Sequence, residues 1–302
     1  MVYGEHRTAR ARLRHDPVEC KIDKLSDELL VAILSYLSLK EAATTSLISR
    51  RWRYLWQYTS GCLEFYDVDK RPEAALEIMK FCCNLKSLSL FGVNAKEEIL
   101  EFFLSNCPYL EQVCVSGSEC LRNLKVTGPH PSLKSMEISW CHNVKGLEID
   151  APNLMSFKYI GPDILVPFQN VPQLSELTIG SHYCYSFIFN ADKHTSYSSK
   201  LRKLKLKYID GLRIVERAAR EATDGFVHKR LKVVKLIGFT GCRSDYKLAL
   251  HLLEIGRGSL KKIILQPTSD SHGFKIKRVT LIEKRSKQLE AKLPPGAKLV
   301  ML

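Results

Sequence analysis

The 302-residue chain has no apolar run long enough to span a bilayer: its longest, such as Leu29-Leu30-Val31-Ala32-Ile33-Leu34, fall far short of the roughly 20 residues needed. It also lacks the phosphate loop G-x-x-x-x-G-K-[ST], the metal helix H-E-x-x-H and the nucleophile turn G-x-S-x-G. His182, His194, His228, His251 and His272 are scattered without a repeated acid or Cys partner, so no enzyme class and no cofactor is indicated. Ten cysteines are present, but Cys82 and Cys83 are adjacent, and Cys107, Cys114, Cys120 and Cys141 form no C-x-x-C pair, which argues against metal. With no secretory signal and no regular pairing, a reducing compartment fits, most thiols serving as small buried hydrophobes. Arg7, Arg10, Arg12 and Arg14 precede no apolar segment. Residues 1–19 therefore read as a basic flexible tail, with a nuclear-import signal as the alternative, and the expected location is nucleus and/or cytoplasm.

Against these absences stands an ordinary globular composition, 45% hydrophobic and 26% charged, which excludes disorder and gives room for one or two domains. Its densest helical signals lie between residues 23 and 58. Ser26 can cap a helix that opens with Asp27 and Glu28, the charge sign favoured at a helix N-terminus, and puts Leu29, Leu30, Ile33, Leu34 and Leu37 on one wide face. Ser38-Leu39-Lys40-Glu41 has the capping-box form and opens a second helix through Ala42, Ala43 and Leu47. Ser49 can cap a third, carrying Trp52, Leu55 and Trp56. Below about 40 residues a chain rarely buries enough apolar surface to offset its backbone entropy, so this trio needs something to pack on.

The same residues resemble an F-box, the adaptor-binding motif of SCF ubiquitin ligases. Leu25, Glu28-Leu29-Leu30, Ile33-Leu34-Ser35-Tyr36-Leu37 and Ser49-Arg50-Arg51-Trp52-Arg53-Tyr54-Leu55-Trp56 carry the likeness, and Ser26 stands where that family usually has Pro. The resemblance implies docking on a Skp-family adaptor, and through it on cullin and RING proteins, with Leu25, Leu29, Leu30, Ile33, Leu34, Leu37, Trp52 and Leu55 as contacts. Trp56 could instead pack towards the rest of the chain. With no RING-like zinc module here, ubiquitin transfer would come from partners. The alternative is an ordinary helical hairpin inside a larger core, with Trp52 and Trp56 as core aromatics.

Behind this head the chain repeats a phrase of the form L-x-x-L-x-L, at 85–90, 110–115, 133–138, 154–159, 174–179, 201–206, 231–236 and 260–265. The spacing starts at about 20 to 25 residues and lengthens to about 30, the leucine-rich-repeat range. First, fourth and sixth residues should point into a shared core, and the third, the fifth and the one after the sixth outward, as a short strand requires. Stacked copies then share one core and one parallel sheet. Shorter phrases at 121–126 and 144–149 predict extended segments across the opposite face. Helical crossovers are expected after Asn94-Ala95-Lys96-Glu97, over Asp210 to Ala222, over Ser244 to Ile255 and from Thr280 through Leu289. A terminal strand over Ala297 to Leu302 would cover the open end.

Cys107-Pro108-Tyr109-Leu110, Ala151-Pro152-Asn153-Leu154, Val171-Pro172-Gln173-Leu174 and Ile237-Gly238-Phe239-Thr240-Gly241, followed by a helix and Ser259 to Leu265, resemble plant F-box/leucine-rich-repeat proteins of the FBD type. The likeness covers roughly residues 20 to 302. It implies an α/β fold: an N-terminal helical F-box (20–60), a curved leucine-rich-repeat solenoid with a parallel sheet (61–230), and an FBD-like closing segment (231–302). The function implied is a non-catalytic substrate receptor that presents a target protein for ubiquitination and proteasomal degradation. A leucine-rich interaction scaffold without ligase recruitment is the alternative, motivated by Ser26.

Net charge is +14, and residues 191–302 hold about 26 Lys and Arg against about 10 acidic residues, while the remainder is close to neutral. Outward positions of three late phrases carry Lys203, Lys205 and Lys207, then Lys235, then Lys262. These lysines would attract an acidic or phosphorylated target segment, the alternative being solvated lysines that keep the sheet soluble. Nucleic acid fits less well, because the basic phrases show no regular interleaving of stacking aromatics and no recognisable module.

Overall fold

The computed structural model describes residues 21–37, 39–59, 61–66, 84–128, 132–164, 166, 168–180, 200–207, 227–267 and 275–302. The basic tail, Ser38 of the capping box, Cys82 and Cys83, His182 and His194, and the helix expected over 210–222 lie outside these residues. A 3-10 turn at Lys21–Lys24 leads to α1 (Asp27–Leu34), capped by Ser26, whose Oγ accepts the Leu29 N–H at 3.4 Å. The helix ends three residues before Leu37. Ser35 turns its hydroxyl onto the Val31 carbonyl at 2.8 Å, and the Tyr36 and Leu37 N–H groups close tight turns on the carbonyls of Ile33 and Leu34. α2 (Leu39–Thr44) tightens into a 3-10 turn at Thr45–Leu47, and α3 (Trp52–Leu55) into another at Trp56–Tyr58. Ser49 Oγ accepts the Trp52 N–H at 3.4 Å, but the residue at the cap position of this third helix is Arg51, not Ser49 as expected.

Leu30, Leu34, Ala42, Trp52 and Leu55 are buried together as a small core. Trp56 packs against both that core and the much larger one behind it. The head is thus no hairpin lost inside a larger core, and Trp56 joins its cluster to the body. Arg51 clasps the opening turn from outside. Its Nε donates to Asp27 Oδ1 at 2.8 Å and its Nη2 to the Leu25 carbonyl.

Among the described residues, ten strands form one sheet in the order β1 (Cys62–Tyr66), β2 (Ser87–Phe91), β3 (Gln112–Ser116), β5 (Ser135–Ser139), β7 (Ser156–Ile160), β8 (Glu176–Gly180), β9 (Lys203–Lys207), β10 (Val233–Ile237), β11 (Lys262–Gln266) and β12 (Lys298–Met301), every pair parallel. The remaining two, β4 (Asn123–Val126) and β6 (Gly146–Ile149), are the half-period phrases, paired parallel in a second sheet that continues through an Ile149–Phe168 bridge. The alternation of each phrase dictates this arrangement. Leu85, Leu88 and Leu90 are buried while Ser87 and Ser89 face outward, and the later phrases repeat that pattern down to Leu260, Ile263 and Leu265.

α4 (Glu97–Asn106) crosses between β2 and β3, burying Ile99, Leu100, Phe103 and Leu104. Asn94 is not its cap: the Asn94 amide oxygen instead accepts the Glu119 N–H at 3.2 Å. Glu97 accepts the N–H groups of Arg122 and Asn123, both at 2.6 Å, and so fixes the helix to the start of β4. α5 (Arg243–Ile255) stops at Gly256, as its sequence predicts, and α6 (Lys275–Glu290) starts five residues earlier than Thr280. The terminal strand β12 pairs with β11 at the sheet edge.

Candidate functional site

Two surfaces carry the candidate residues. On the head, the eight expected adaptor contacts divide. Leu30, Leu34, Trp52 and Leu55 are buried in the head's own core and hold the three helices together. Leu25 is half-buried against them. Leu29, Ile33 and Leu37 lie outside, 53%, 41% and 38% exposed. The division follows from helix geometry, since a helix of barely two turns can turn only part of a five-residue apolar stripe towards a core of this size. Leu47, expected on the apolar face of the second helix, is 87% exposed, and Ile48, Tyr36 and Tyr54 are exposed as well. Those four were missed, although two adjacent apolar residues such as Leu47 and Ile48 cannot both face one small core.

The second surface is the outward face of the large sheet. Lys203, Lys205, Lys207, Lys235 and Lys262 all occupy it, half-exposed as predicted. Register sets Lys205 directly opposite Lys235 and sets Lys203, Lys205 and Lys207 beside Glu176, Thr178 and Gly180. Glu176 accepts Lys203 at 2.6 Å and stands 3.7 Å from Lys205, a partner that reading the phrases singly did not find. Lys235 and Lys262 have no ion pair among the described residues. Further back, Glu137 pairs with Lys158 at 2.6 Å, so that part of the face is balanced. Partly exposed pairs of this kind contribute about 0 to 1 kcal/mol, so they order the surface more than they stabilise it.

At the C-terminal rim of this sheet, the residue after the strand takes a left-handed backbone after β2, β3, β5 and β10. These residues are Gly92 (φ 69°), Gly117 (φ 73°), Trp140 (φ 59°) and Gly238 (φ 88°). Each donates its N–H to the last carbonyl of the neighbouring strand, on Ser116, Ser139, Ile160 and Gln266, at 2.7 to 2.9 Å. Glycine suits such a position, whereas an L side chain there costs of the order of 1 to 3 kcal/mol. Trp140 nevertheless holds it, 38% exposed, with Lys207 Nζ 5.6 Å from its ring centroid and His142 edge-on at 6.4 Å.

Of the six cysteines among the described residues, Cys107 and Cys141 are buried, Cys62 is exposed and the others are intermediate. Cys114 faces outward from β3. Burial, with the Glu137 charge, pushes its thiol up to about 11, so it stays protonated at neutral pH. Among the described residues no helix is long and apolar enough to cross a membrane.

Residues 22–60 match the F-box domain, and residues 44–212, more than half of the chain, match the family described as At1g61320/AtMIF1, LRR domain. FBD-associated F-box protein At5g56700 of Arabidopsis thaliana is 38% identical over 109 residues, which is 35% of this chain and 27% of that protein. FBD-associated F-box protein At5g38565, also of Arabidopsis thaliana, is 26% identical over 225 residues, 62% of this chain and 56% of that one. F-box/LRR-repeat protein At3g59160 of the same plant is 59% identical over 46 residues, 15% of this chain and 10% of its own. The chain thus spans little more than half the length of these relatives at most.

Proposed function

This chain belongs to the At1g61320/AtMIF1 LRR-domain family and carries an F-box match at its head, and from that premise we propose that it is the substrate-recognition subunit of an SCF-type cullin-RING ubiquitin ligase. The head, residues 20–60, docks on a Skp-family adaptor through Leu29, Ile33 and Leu37. The parallel sheet behind it is the strand face of a leucine-rich-repeat solenoid over 61–230, closed by an FBD-like segment over 231–302, and its outward face holds the target protein. No chemistry is required of this chain. Adaptor, cullin and RING protein bring a charged conjugating enzyme close to the target, and the rate gain is one of local concentration.

The observation that carries this reading is a head with its own closed core that leaves large apolar side chains at its surface. A merely structural head would bury them. Lys235 and Lys262, without ion pairs among the described residues, beside the opposed Lys205, favour an acidic or phosphorylated segment as the target's contact. Co-purification with a Skp-family adaptor tests the whole: retention by the intact chain is expected, and no retention where a control F-box protein is retained refutes ligase recruitment, leaving an interaction scaffold.

A further inference from the structure

The residue just before each strand belongs to a row of its own along the N-terminal rim of the large sheet. Its backbone is fixed by a ladder in which each member donates its N–H to the carbonyl of the one before: Glu111 to Lys86, Lys134 to Glu111, Met155 to Lys134 and Ser175 to Met155, at 2.8 to 2.9 Å. The same ladder runs on from Arg202 to Ser175, Lys232 to Arg202 and Lys261 to Lys232, at 2.8 to 2.9 Å. Its early part is balanced or neutral, with Lys134 Nζ 3.0 Å from Glu111 and then Met155 and Ser175. Its late part is neither. Arg202, Lys232 and Lys261 follow one another on neighbouring rungs, all exposed, and no carboxylate among the described residues comes within ion-pair distance of them. Lys200 and Arg230, two residues before Arg202 and Lys232, are exposed as well, and Lys262 stands opposite Lys298 at the starts of β11 and β12. At the start of β9, Lys203 is neutralised by Glu176 at 2.6 Å.

Resting on the reading that the body receives a target protein, we propose that this rim of the last four rungs is the seat of the target's anionic segment. The occupant is an extended run of four or five acidic or phosphorylated residues lying across the strand starts, from Arg202 to Lys298. Neighbouring rungs are about 4.8 Å apart, inside the ~8 Å over which physiological salt screens charge, so three like charges in register repel one another. Lysines kept only for solubility need no such register, and like charges on neighbouring strands destabilise a sheet. An anion laid along the row removes that repulsion and takes charge-assisted hydrogen bonds from residues whose backbone the ladder already holds, so little main-chain order is lost on binding. The size follows from the strands. From β9 to β12 is three spacings, about 14 Å, and an extended chain rises about 3.3 Å per residue. A protein segment is favoured over nucleic acid because none of these rim residues is aromatic, and a single strand would find no ring here to stack its bases on.

The test uses the full chain and fluorescein-labelled peptides in a Gly/Ser background, with cores of five Glu, of alternating phosphoSer and Glu, and of five Gln, read by anisotropy at physiological salt. The first two are expected to bind at least tenfold more tightly than the third, and their ratio tells carboxylate from phosphate. Arg202→Gln/Lys232→Gln/Lys261→Gln should lower affinity for the five-Glu core at least tenfold. Lys86→Gln/Lys96→Gln/Lys145→Gln removes the same charge from three exposed lysines elsewhere and should lower it less than threefold. Lys232→Gln alone, expected to cost at least twofold, serves if thermal unfolding of the rim triple loses its cooperativity. Equal losses in the two triples, equal binding of the Glu and Gln cores, an unchanged affinity in Lys232→Gln, or no binding of any peptide at millimolar concentration overturns the proposal. So does a single-stranded oligonucleotide that binds more tightly than every peptide and is lost in the rim triple, which would make the row a nucleic-acid surface. Adaptor co-purification on the same preparation separates the two readings: peptide discrimination without adaptor retention keeps the seat and removes the ligase, and the reverse removes only the seat.

Discussion

Leu29→Ala and Leu34→Ala lie five residues apart on one helix and should fail in opposite ways. Leu29 is 53% and Ile33 41% exposed in the folded head. Covering the open half of such a side chain is worth ~0.8 to 1.5 kcal/mol, about half of what full burial contributes. Leu29→Ala therefore weakens adaptor binding about four- to thirteen-fold, and Leu29→Ala/Ile33→Ala roughly 10- to 100-fold, with little change in stability. Leu34 has no exposed surface, and truncating such a residue costs about 2 to 5 kcal/mol. The core it leaves holds Leu30, Ala42, Trp52 and Leu55, so the loss opens the head while the sheet stays folded. Calorimetric titration with a Skp-family adaptor reads the first effect. Hydrogen exchange on peptides from 21–59, compared with peptides from the sheet, reads the second. Wild-type adaptor affinity in the Leu29→Ala/Ile33→Ala variant would refute the exposed-face argument, and unaltered protection of the head in Leu34→Ala would refute the separate core.

Gly180→Ala sets a methyl 2.9 Å from Ile160 Cγ1 and should destabilise by about 1 to 3 kcal/mol, partly recovered by Ile160→Ala in a urea-denaturation double-mutant cycle. Burial would raise the Glu97 pKa, but the N–H groups of Asn123 and Arg122 and the Arg122 charge outweigh it and hold the carboxyl below its usual 4.5. A lowered folded pKa contributes stability that is present above the unfolded value and lost as pH falls through the folded one. Glu97→Gln should therefore flatten the loss of thermal stability below about pH 4.5, and an unchanged acid limb would count against the carboxylate. Ser26 has φ −67°, which a proline ring accepts, and its capping contact is a long 3.4 Å. Ser26→Pro should leave the melting temperature within a few degrees, so any rise in adaptor affinity measured by the same titration reports the cost of serine at this position.

The strands were legible because their signal is local. Leu133, Met136 and Ile138 alternate with outward residues inside six positions, and every copy of the phrase makes the same choice. The half-period phrases at 121–126 and 144–149 were legible for the same reason. The head was legible as helices but not as surfaces, because a stripe such as Leu29, Leu30, Ile33, Leu34 and Leu37 does not say which edge meets a core of five residues. Helix ends were misjudged where a side chain intervened: the Ser35 hydroxyl closes α1 on Val31, and the Asn94 amide serves Glu119. The outward lysines were found by counting along one phrase. Their pairing with Glu176 and the meeting of Lys207 with Trp140 depend on strands that stand next to, or near, each other only in the folded sheet. Nothing in the string Ser139-Trp140-Cys141 distinguishes a left-handed residue from an ordinary one.

The order of the large sheet follows the order of the chain, each strand lying beside the one made before it in that sheet. For a polypeptide leaving the ribosome at about 5 to 20 residues per second, this means that every new strand meets a finished template within seconds of appearing. At any moment one edge is growing and a single strand is unpaired, so a stalled or truncated product exposes one sticky border instead of a collapsed, scrambled core. Synthesis and assembly of the body therefore advance together.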